Sequence, residues 1–161
     1  MSLSPGMTFA ASASVVSSAM AAGAMAGLSL CAVPAIFQVS VPSSVMLKQW
    51  SIVYNNGKAI PLTALLAAIS YGVVSYNQHA KDSPRWRGFA LAGVLTVAAI
   101  PFTMVVLMPT IKVLEEAGQS QTKTLSDDRV RSLVRKWMHL NTIRCSLPLT
   151  GAVVGLWALL S

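Results

Sequence analysis

The sequence predicts an all-α fold, an integral membrane four-helix bundle whose helices run up and down in turn. The chain of 161 residues is 54% hydrophobic and only 11% charged, against roughly 25% charged residues in an average soluble domain. All five acidic residues lie outside its apolar segments. One bundle accounts for residues 1–161, so we expect a single domain. Four apolar segments approach the roughly 20 residues that cross a bilayer as a helix, at about 13–37, 60–77, 88–108 and 140–160.

The first segment is dense in alanine and glycine. Gly23 and Gly27 have the spacing that allows two helices to pack closely. Pro34, near the end of the segment, removes the helical donor to the carbonyl of Leu30. The sequence therefore predicts a tightly packed first helix with a disturbed end.

Residues 38–59 are predicted to form a loop before the second helix. Asn55, Asn56 and Gly57 follow one another, and such a run is typical of a turn. Pro61 then suits the first turn of a helix. Trp50, Tyr54 and Lys58 would lie in this loop.

The third segment contains Pro101, which removes the donor to the carbonyl of Val97. Thr103 and Thr110 can bond backbone groups that prolines leave free. A simple proline kink explains the same pattern. A polar loop, 109–136, should follow.

Within the polar loop, Ser126 precedes two aspartates and marks a plausible helix start. In the fourth segment, Pro148 frees the carbonyl of Arg144 itself. Gly151 and Gly155 form a second pair of closely packing glycines, so both glycine pairs would also allow a homo-oligomer.

The strongest functional signal is the run from Trp137 to Arg144. At 3.6 residues per turn, Trp137, Asn141 and Arg144 fall within about 60° of one another on one helix face. An arginine carried into hydrocarbon costs several kcal/mol without a partner, so it marks a functional site. The alternative is an interfacial arginine that extends to the headgroups, with Trp137 as a membrane-belt residue. Asn141 favours the functional interpretation, because asparagine neither anchors at an interface nor favours helix interiors.

Because the helices alternate in direction, helix-disturbing and polar residues of all four helices should meet at one depth. Irregular backbone at membrane depth is tolerated where it lines a cavity, so we predict a pocket there. We expect Arg144, Asn141 and Trp137 to act in catalysis. The expected substrate-binding residues are Tyr54, Lys58, Pro101, Thr103, Thr110 and Trp50.

The pocket should open toward the end that bears loops 38–59 and 109–136. Those loops hold eight lysines and arginines, against three, Lys81, Arg85 and Arg87, in the opposite loop. The positive-inside rule then places the pocket end in the cytosol. We expect a multi-pass protein of the endomembrane system, in the endoplasmic reticulum.

Several chemistries are disfavoured by the residues at hand. No carboxylate lies in an apolar segment, which argues against a proton-relay transporter. His79 and His139 would lie at opposite membrane faces, about 30 Å apart, and could not share a metal, so none is predicted. Haem binding by one of these two histidines stays open as an alternative. Cys31 and Cys145 form no CxxC motif, which argues against thiol redox chemistry. The sequence also lacks the alternation of aromatic and basic residues that is typical of nucleic-acid binding.

What remains is an apolar cavity with a guanidinium, an amide, an indole and a phenol. Such a set can stabilise an enolate or phenolate and hold a flat aromatic ligand. An obvious strong base is missing, since His139 points about 160° away from the Trp137 and Asn141 face.

Three blocks of the sequence together resemble one family. They are Trp50-x3-Tyr54-x2-Gly57-Lys58-x2-Pro61, then Ile100-Pro101-Phe102-Thr103 with Met108-Pro109-Thr110, then Trp137-x3-Asn141-x2-Arg144. The pattern is similar to that of the DUF1772, or anthrone oxygenase, family of small four-helix membrane proteins. The similarity runs from Leu28 onward, and one departure is Ile111, where the family commonly has asparagine.

The resemblance implies oxidation of an anthrone to an anthraquinone with O2, in aromatic polyketide biosynthesis and without a dedicated cofactor. Arg144 and Asn141 would then steady the oxyanion, and Trp137 would stack on a small hydrophobic aromatic substrate. Two alternatives stay open: a cyclase or isomerase that uses the same pocket, and a non-catalytic membrane scaffold.

Overall fold

The computed structural model describes residues 3–38, 41–119 and 125–161, and this part of the chain is almost entirely helical. Four helices are long and apolar enough to cross a membrane, which confirms an all-α integral membrane bundle. They are α1 (Pro5–Gln38), α2 (Ser43–His79), α3 (Trp86–Gln119) and α4 (Asp127–Leu160).

The helices pack as a ring in which sequence neighbours run antiparallel, as predicted. Ala10 of α1 accepts a hydrogen bond from Ser70 of α2, while Ser18 of α1 contacts Pro148 of α4. Further along α1, Met25 meets Asn141, which lies earlier in α4. Because the residue numbers rise along one helix as they fall along the other, α1 and α4 run in opposite directions.

The prediction of a loop over residues 38–59 is wrong, because Ser43–Gly57 form a helix. Pro42 occupies its N-cap position, and Met46 and Trp50 are buried on one face. That apolar face outweighs the turn preference of Asn55 and Asn56, which occupy the last helical turn. Only Lys58 and Ala59 interrupt α2 as a turn before Ile60–His79 begins.

The predicted loop 109–136 is also largely helical, since α3 continues to Gln119 and α4 begins at Asp127. Ser126 is the N-cap of α4, as expected, although its side chain makes no capping hydrogen bond. Lys123, which contributes to the predicted charge asymmetry, lies outside the described residues.

All four helices are longer than a bilayer requires. A helix of 34 residues measures about 51 Å, whereas the hydrocarbon core is about 30 Å thick. The excess lies at the end that bears Lys48, Lys112 and Arg131, where Ser43–Gly57, the end of α3 and the start of α4 pack together. Two tryptophans, Trp50 and Trp137, are buried in the hydrophobic core of this end. We refer to it as the charged end.

The glycine pairs behave differently from each other. A Cβ on Gly151 would lie 2.8 Å from the carbonyl oxygen of Ala92, and a Cβ on Gly155 would meet the ring of Tyr71. This pair therefore packs α4 inside the bundle. Gly23 and Gly27 have nothing within 4 Å of such a Cβ, so the predicted close packing of α1 at this pair is wrong within one chain.

Two short π-helical turns widen the helices near the charged end. They span Leu28–Ala32 in α1 and Thr103–Leu107 in α3. The residue after each turn donates its N–H to the carbonyl five residues earlier, Val33 to Leu28 and Met108 to Thr103. In both helices the next residue is a proline. A proline has no N–H and its ring crowds the preceding turn, so both prolines, Pro34 and Pro109, explain the local widening.

Candidate functional site

A narrow crevice lies where the membrane bundle meets the charged end. Its volume is about 20 Å³, which is room for about one water molecule. The pocket predicted at this depth is thus present only as a crevice, which is too small for an aromatic ligand in this conformation because side chains fill the space. The crevice is lined by Leu28, Tyr54, Gly57, Lys58, Ile111, Trp137 and Arg144.

Arg144 is the buried charge of this crevice. Only 7% of its surface is exposed, so the alternative of a guanidinium among lipid headgroups is excluded. Its Nη1 donates to Thr103 Oγ1 at 3.0 Å, and Thr103 Oγ1 in turn donates to the carbonyl of Ala99 at 2.7 Å. The buried Nε has no hydrogen-bond partner among the described residues. The Nε–H is thus available to an acceptor that enters the crevice.

Asn141 lies on the predicted buried face but does not line the crevice. Its Nδ2 donates to the carbonyl of Met25 at 2.9 Å and to Ser29 Oγ at 2.6 Å. Ser29 belongs to the π-helical turn of α1. The amide N–H groups therefore hold α1 against α4, and the geometry fits a positioning role better than the predicted contact with an oxyanion.

Three aromatic rings form a connected group beside Arg144. Trp50 stacks on Tyr54 with ring centroids 5.3 Å apart and planes 2° apart. Trp137 meets Trp50 edge to face at 5.9 Å. Of these rings only those of Tyr54 and Trp137 reach the crevice, since Trp50 is fully buried behind them. The indole N–H of Trp137 has no hydrogen-bond partner in the described part of the chain.

Lys58 provides a second positive charge at the mouth of the crevice. It is exposed, and its Nζ donates to Asn55 Oδ1 at 3.0 Å, one turn earlier in α2. Its predicted contact with a substrate stays a prediction. Gly57, one residue before it, lets the side chain of Leu28 approach the α2 backbone, because a Cβ there would overlap Leu28 Cδ1.

Three predicted substrate-binding residues do not line the crevice. Pro101 is exposed on the outer surface of α3. It comes two positions before Thr103, and residues at that spacing point to different sides of a helix. Thr110 is buried, but it is not part of the crevice wall. Trp50 is also absent from the crevice wall, but it packs against Tyr54 and Trp137, which line it. Sequence spacing gave the correct depth for all three but not the correct direction.

Several residues of the site were missed from the sequence. Met25, Ser29 and Ala99 supply acceptors to the polar network, and Leu28 forms one wall of the crevice. Their signal was indirect: Pro34 and Pro109 each follow a π-helical turn, and such turns often occur at functional sites. Among the described residues, no group of three or more His, Cys, Asp or Glu side chains could hold a metal ion.

Comparisons with known proteins point to one family. The sequence profile described as "Anthrone oxygenase" matches residues 50–154. The chain is 32% identical to anthrone oxygenase AgnL2 of Paecilomyces divaricatus, over 92% of this chain and 93% of that protein. It is 34% identical to anthrone oxygenase nsrD of Aspergillus novofumigatus, over 95% and 94% of the two chains.

A third relative is the noranthrone monooxygenase of Aspergillus flavus, 30% identical over 88% of this chain and 69% of that protein. No solved structure matches the chain. The matched region, 50–154, includes Tyr54, Thr103, Trp137 and Arg144. The chain belongs to the anthrone oxygenase family of monooxygenases.

Proposed function

We propose that this protein oxidises an anthrone-like aromatic polyketide to the corresponding quinone with O2. The single observation that carries the proposal is the buried Arg144, held by Thr103 with its Nε free in a crevice. The names of the relatives supply the substrate class. A preorganised donor in a water-poor site stabilises an oxyanion far better than the same donor does in water.

The chemistry begins at the CH2 group of the anthrone, which lies para to the carbonyl across the central ring. Loss of one proton from this carbon gives an enolate whose negative charge is shared with the carbonyl oxygen. Arg144 donates its Nε–H to this oxygen, and its positive charge makes the deprotonation more favourable. The N–H of Trp137 offers a second donor, and its ring is an apolar wall for the flat substrate.

The electron-rich enolate gives one electron to O2, and recombination of the two radicals forms a C–O bond and a peroxide anion. This anion takes a proton from water, which balances the proton that the CH2 group released to water, and becomes a hydroperoxide. Loss of water from the hydroperoxide gives the quinone. Overall, the substrate loses two hydrogens and gains one oxygen atom, and the second oxygen atom leaves as water. This balance needs no external reductant, which is why we propose O2 as the co-substrate and no dedicated cofactor.

The remaining residues have supporting roles in this proposal. Lys58 and Tyr54 contact the substrate at the mouth and side of the crevice, and Thr103 fixes the guanidinium. Asn141 keeps α1 and α4 in register around the site. A tricyclic substrate needs more space than the crevice has, so the Leu28 wall must move aside during turnover.

Oxygen uptake by isolated membranes tests the proposed reaction. Membranes that contain the protein should consume one O2 per quinone formed from 1,8-dihydroxyanthrone, and ¹⁸O2 should label one oxygen of the product. Membranes without the protein give the rate of spontaneous oxidation. Uptake no faster than this background would refute the proposal. A product with the substrate's mass would instead indicate the cyclase or isomerase alternative.

We further propose that the charged end faces the cytosol, in the endoplasmic reticulum. The basic residues Lys48, Lys112, Arg129, Arg131 and Arg135 all lie in this end, and the positive-inside rule places such an end on the cytosolic side. A glycosylation acceptor inserted after Pro84, in the opposite loop, should be modified in microsomes. Modification of an acceptor placed before Ser43, with none after Pro84, would reverse the orientation.

A further inference from the structure

A much larger groove lies beside the crevice, on the outer side of the charged end. It runs between the segment Ser43–Gly57 of α2 and the last two turns of α3, and its volume is about 690 Å³. Pockets for drug-sized ligands measure roughly 300–1,000 Å³. The groove thus has room for a polycyclic aromatic ligand, whereas the crevice of about 20 Å³ does not.

The groove combines an apolar floor with a polar rim. Its floor includes Leu47 and Leu114, which are 7% and 1% exposed and belong to the hydrophobic core of the charged end. Its rim includes Lys48 and Glu115, one charge of each sign on opposite walls. Ser51, on the same wall as Lys48, contributes a hydroxyl that accepts a hydrogen bond from Asn55 Nδ2 at 3.2 Å. A flat ring system with hydroxyl groups at its edge matches this arrangement, because the rings cover the floor while the hydroxyls reach the rim.

The groove and the crevice share a wall. Asn55 lines the groove, and Lys58, which lines the crevice, donates to Asn55 Oδ1 at 3.0 Å. Tyr54, adjacent to Asn55 in sequence, faces the crevice. One helical turn of α2 therefore separates the two spaces, and a ligand in the groove lies one side chain away from the mouth of the crevice.

We propose that this groove is a separate binding site, which holds a hydroxylated polycyclic aromatic substrate before it passes to Arg144. The chemical class of the ligand rests on the proposed function, whereas the size and the polarity of the site rest on the groove itself. Binding here precedes the chemical step, so changes in the groove alter KM and leave kcat within about twofold.

Cysteine protection tests the site with little disturbance of the fold. In a Cys31→Ser background, Ser51→Cys places a thiol in the groove, and Ser132→Cys places one on the exposed surface of α4 at the same end. Saturating 1,8-dihydroxyanthraquinone, a stable product-type probe, should slow the reaction of Ser51→Cys with a charged maleimide at least fivefold. Ser132→Cys should react at an unchanged rate. Equal rates with and without the probe at Ser51→Cys would overturn the proposal.

Filling the groove gives a second, kinetic test. Ser51→Phe should raise KM for 1,8-dihydroxyanthrone about tenfold and weaken probe binding equally, while Ser132→Phe, the matched control, changes neither. A Ser51→Phe protein with wild-type KM and probe affinity would exclude the site. If the wild-type protein consumes no O2, the proposed function fails by itself, and the protection of Ser51→Cys by the probe still decides whether the groove binds aromatic ligands.

Discussion

Arg144 and Thr103 join the fourth helix to the third through one short hydrogen bond, 3.0 Å from Nη1 to Oγ1. Thr103 is the first residue of a π-helical turn, and its own proton goes to the carbonyl of Ala99. Its oxygen is therefore turned toward Arg144 as an acceptor. The widened turn thus has a consequence for the site, because the residue at its start helps to fix the orientation of the guanidinium.

Thr103→Val should lower kcat about tenfold with little change in KM. Valine keeps the branched shape but has no acceptor for Nη1, so the guanidinium loses its fixed orientation. Thr103→Ser, which keeps the hydroxyl, should restore most of the activity. Steady-state O2 uptake in membranes measures both parameters. Wild-type kcat in the valine variant, with a loss in the serine variant, would show that Thr103 acts through packing alone.

Arg144→Lys should lower kcat about 100-fold, since removing one donor of an oxyanion site typically costs a factor of 10² to 10³. Lysine keeps the charge, but its shorter ammonium cannot bond Thr103 and an oxyanion with the same geometry. Arg129→Lys is the matched control, because it makes the same exchange at an exposed position of the same helix. We expect that control to retain activity within a few-fold. Wild-type turnover in Arg144→Lys would remove Arg144 from the mechanism.

Asn141→Ala should destabilise the protein by about 1–3 kcal/mol, because the buried Met25 carbonyl and the Ser29 hydroxyl lose their shared donor. Thr142→Ala is the control: its hydroxyl bonds only the carbonyl of Met138, within the same helix. Thermal unfolding in detergent measures the difference. An unfolding temperature as high as that of wild type, with lost turnover, would instead return Asn141 to the catalytic role predicted from sequence.

The sequence was sufficient for the architecture and for the depth of the site, because both follow from periodicity. Apolar length predicts helices, and alternating direction brings Thr103 and Arg144 to one level. It was not sufficient for the segment Ser43–Gly57, where an amphipathic face overrides a turn signal of three residues. Nor could the sequence show that Asn141 donates to Met25 and Ser29. That pairing depends on the rotation of α1 about its axis, which the π-helical turn Leu28–Ala32 changes.

Gly155→Ala should destabilise the bundle by about 1–3 kcal/mol, the usual cost of overpacking a core. A Cβ there would lie 2.6 Å from Tyr71 Cε1, and Tyr71 is fully buried, so its ring would have to shift within a packed core. Gly23→Ala should be neutral or stabilise by up to about 1 kcal/mol, the difference in helix propensity, because nothing lies within 4 Å of the new atom. Unfolding of both variants in one detergent gives the comparison. Equal effects would mean that α2 and α4 do not approach as closely as described.

Leu28→Phe should abolish turnover or lower kcat at least tenfold, while the affinity of the groove for 1,8-dihydroxyanthraquinone stays unchanged. Leu28 lies against Gly57, and its side chain walls a crevice of about 20 Å³. Productive binding at Arg144 therefore needs this side chain to move, and a bulkier ring at position 28 opposes that movement. Leu28→Ala has the opposite effect on the available space and should lower KM or admit substrates with larger ring substituents. Leu66→Phe, at an exposed position of α2 on the outer surface, controls for the added ring. If Leu28→Phe turned over at the wild-type rate, the substrate would have to reach Arg144 by another path, and the position of Leu28 over Gly57 would have no part in catalysis.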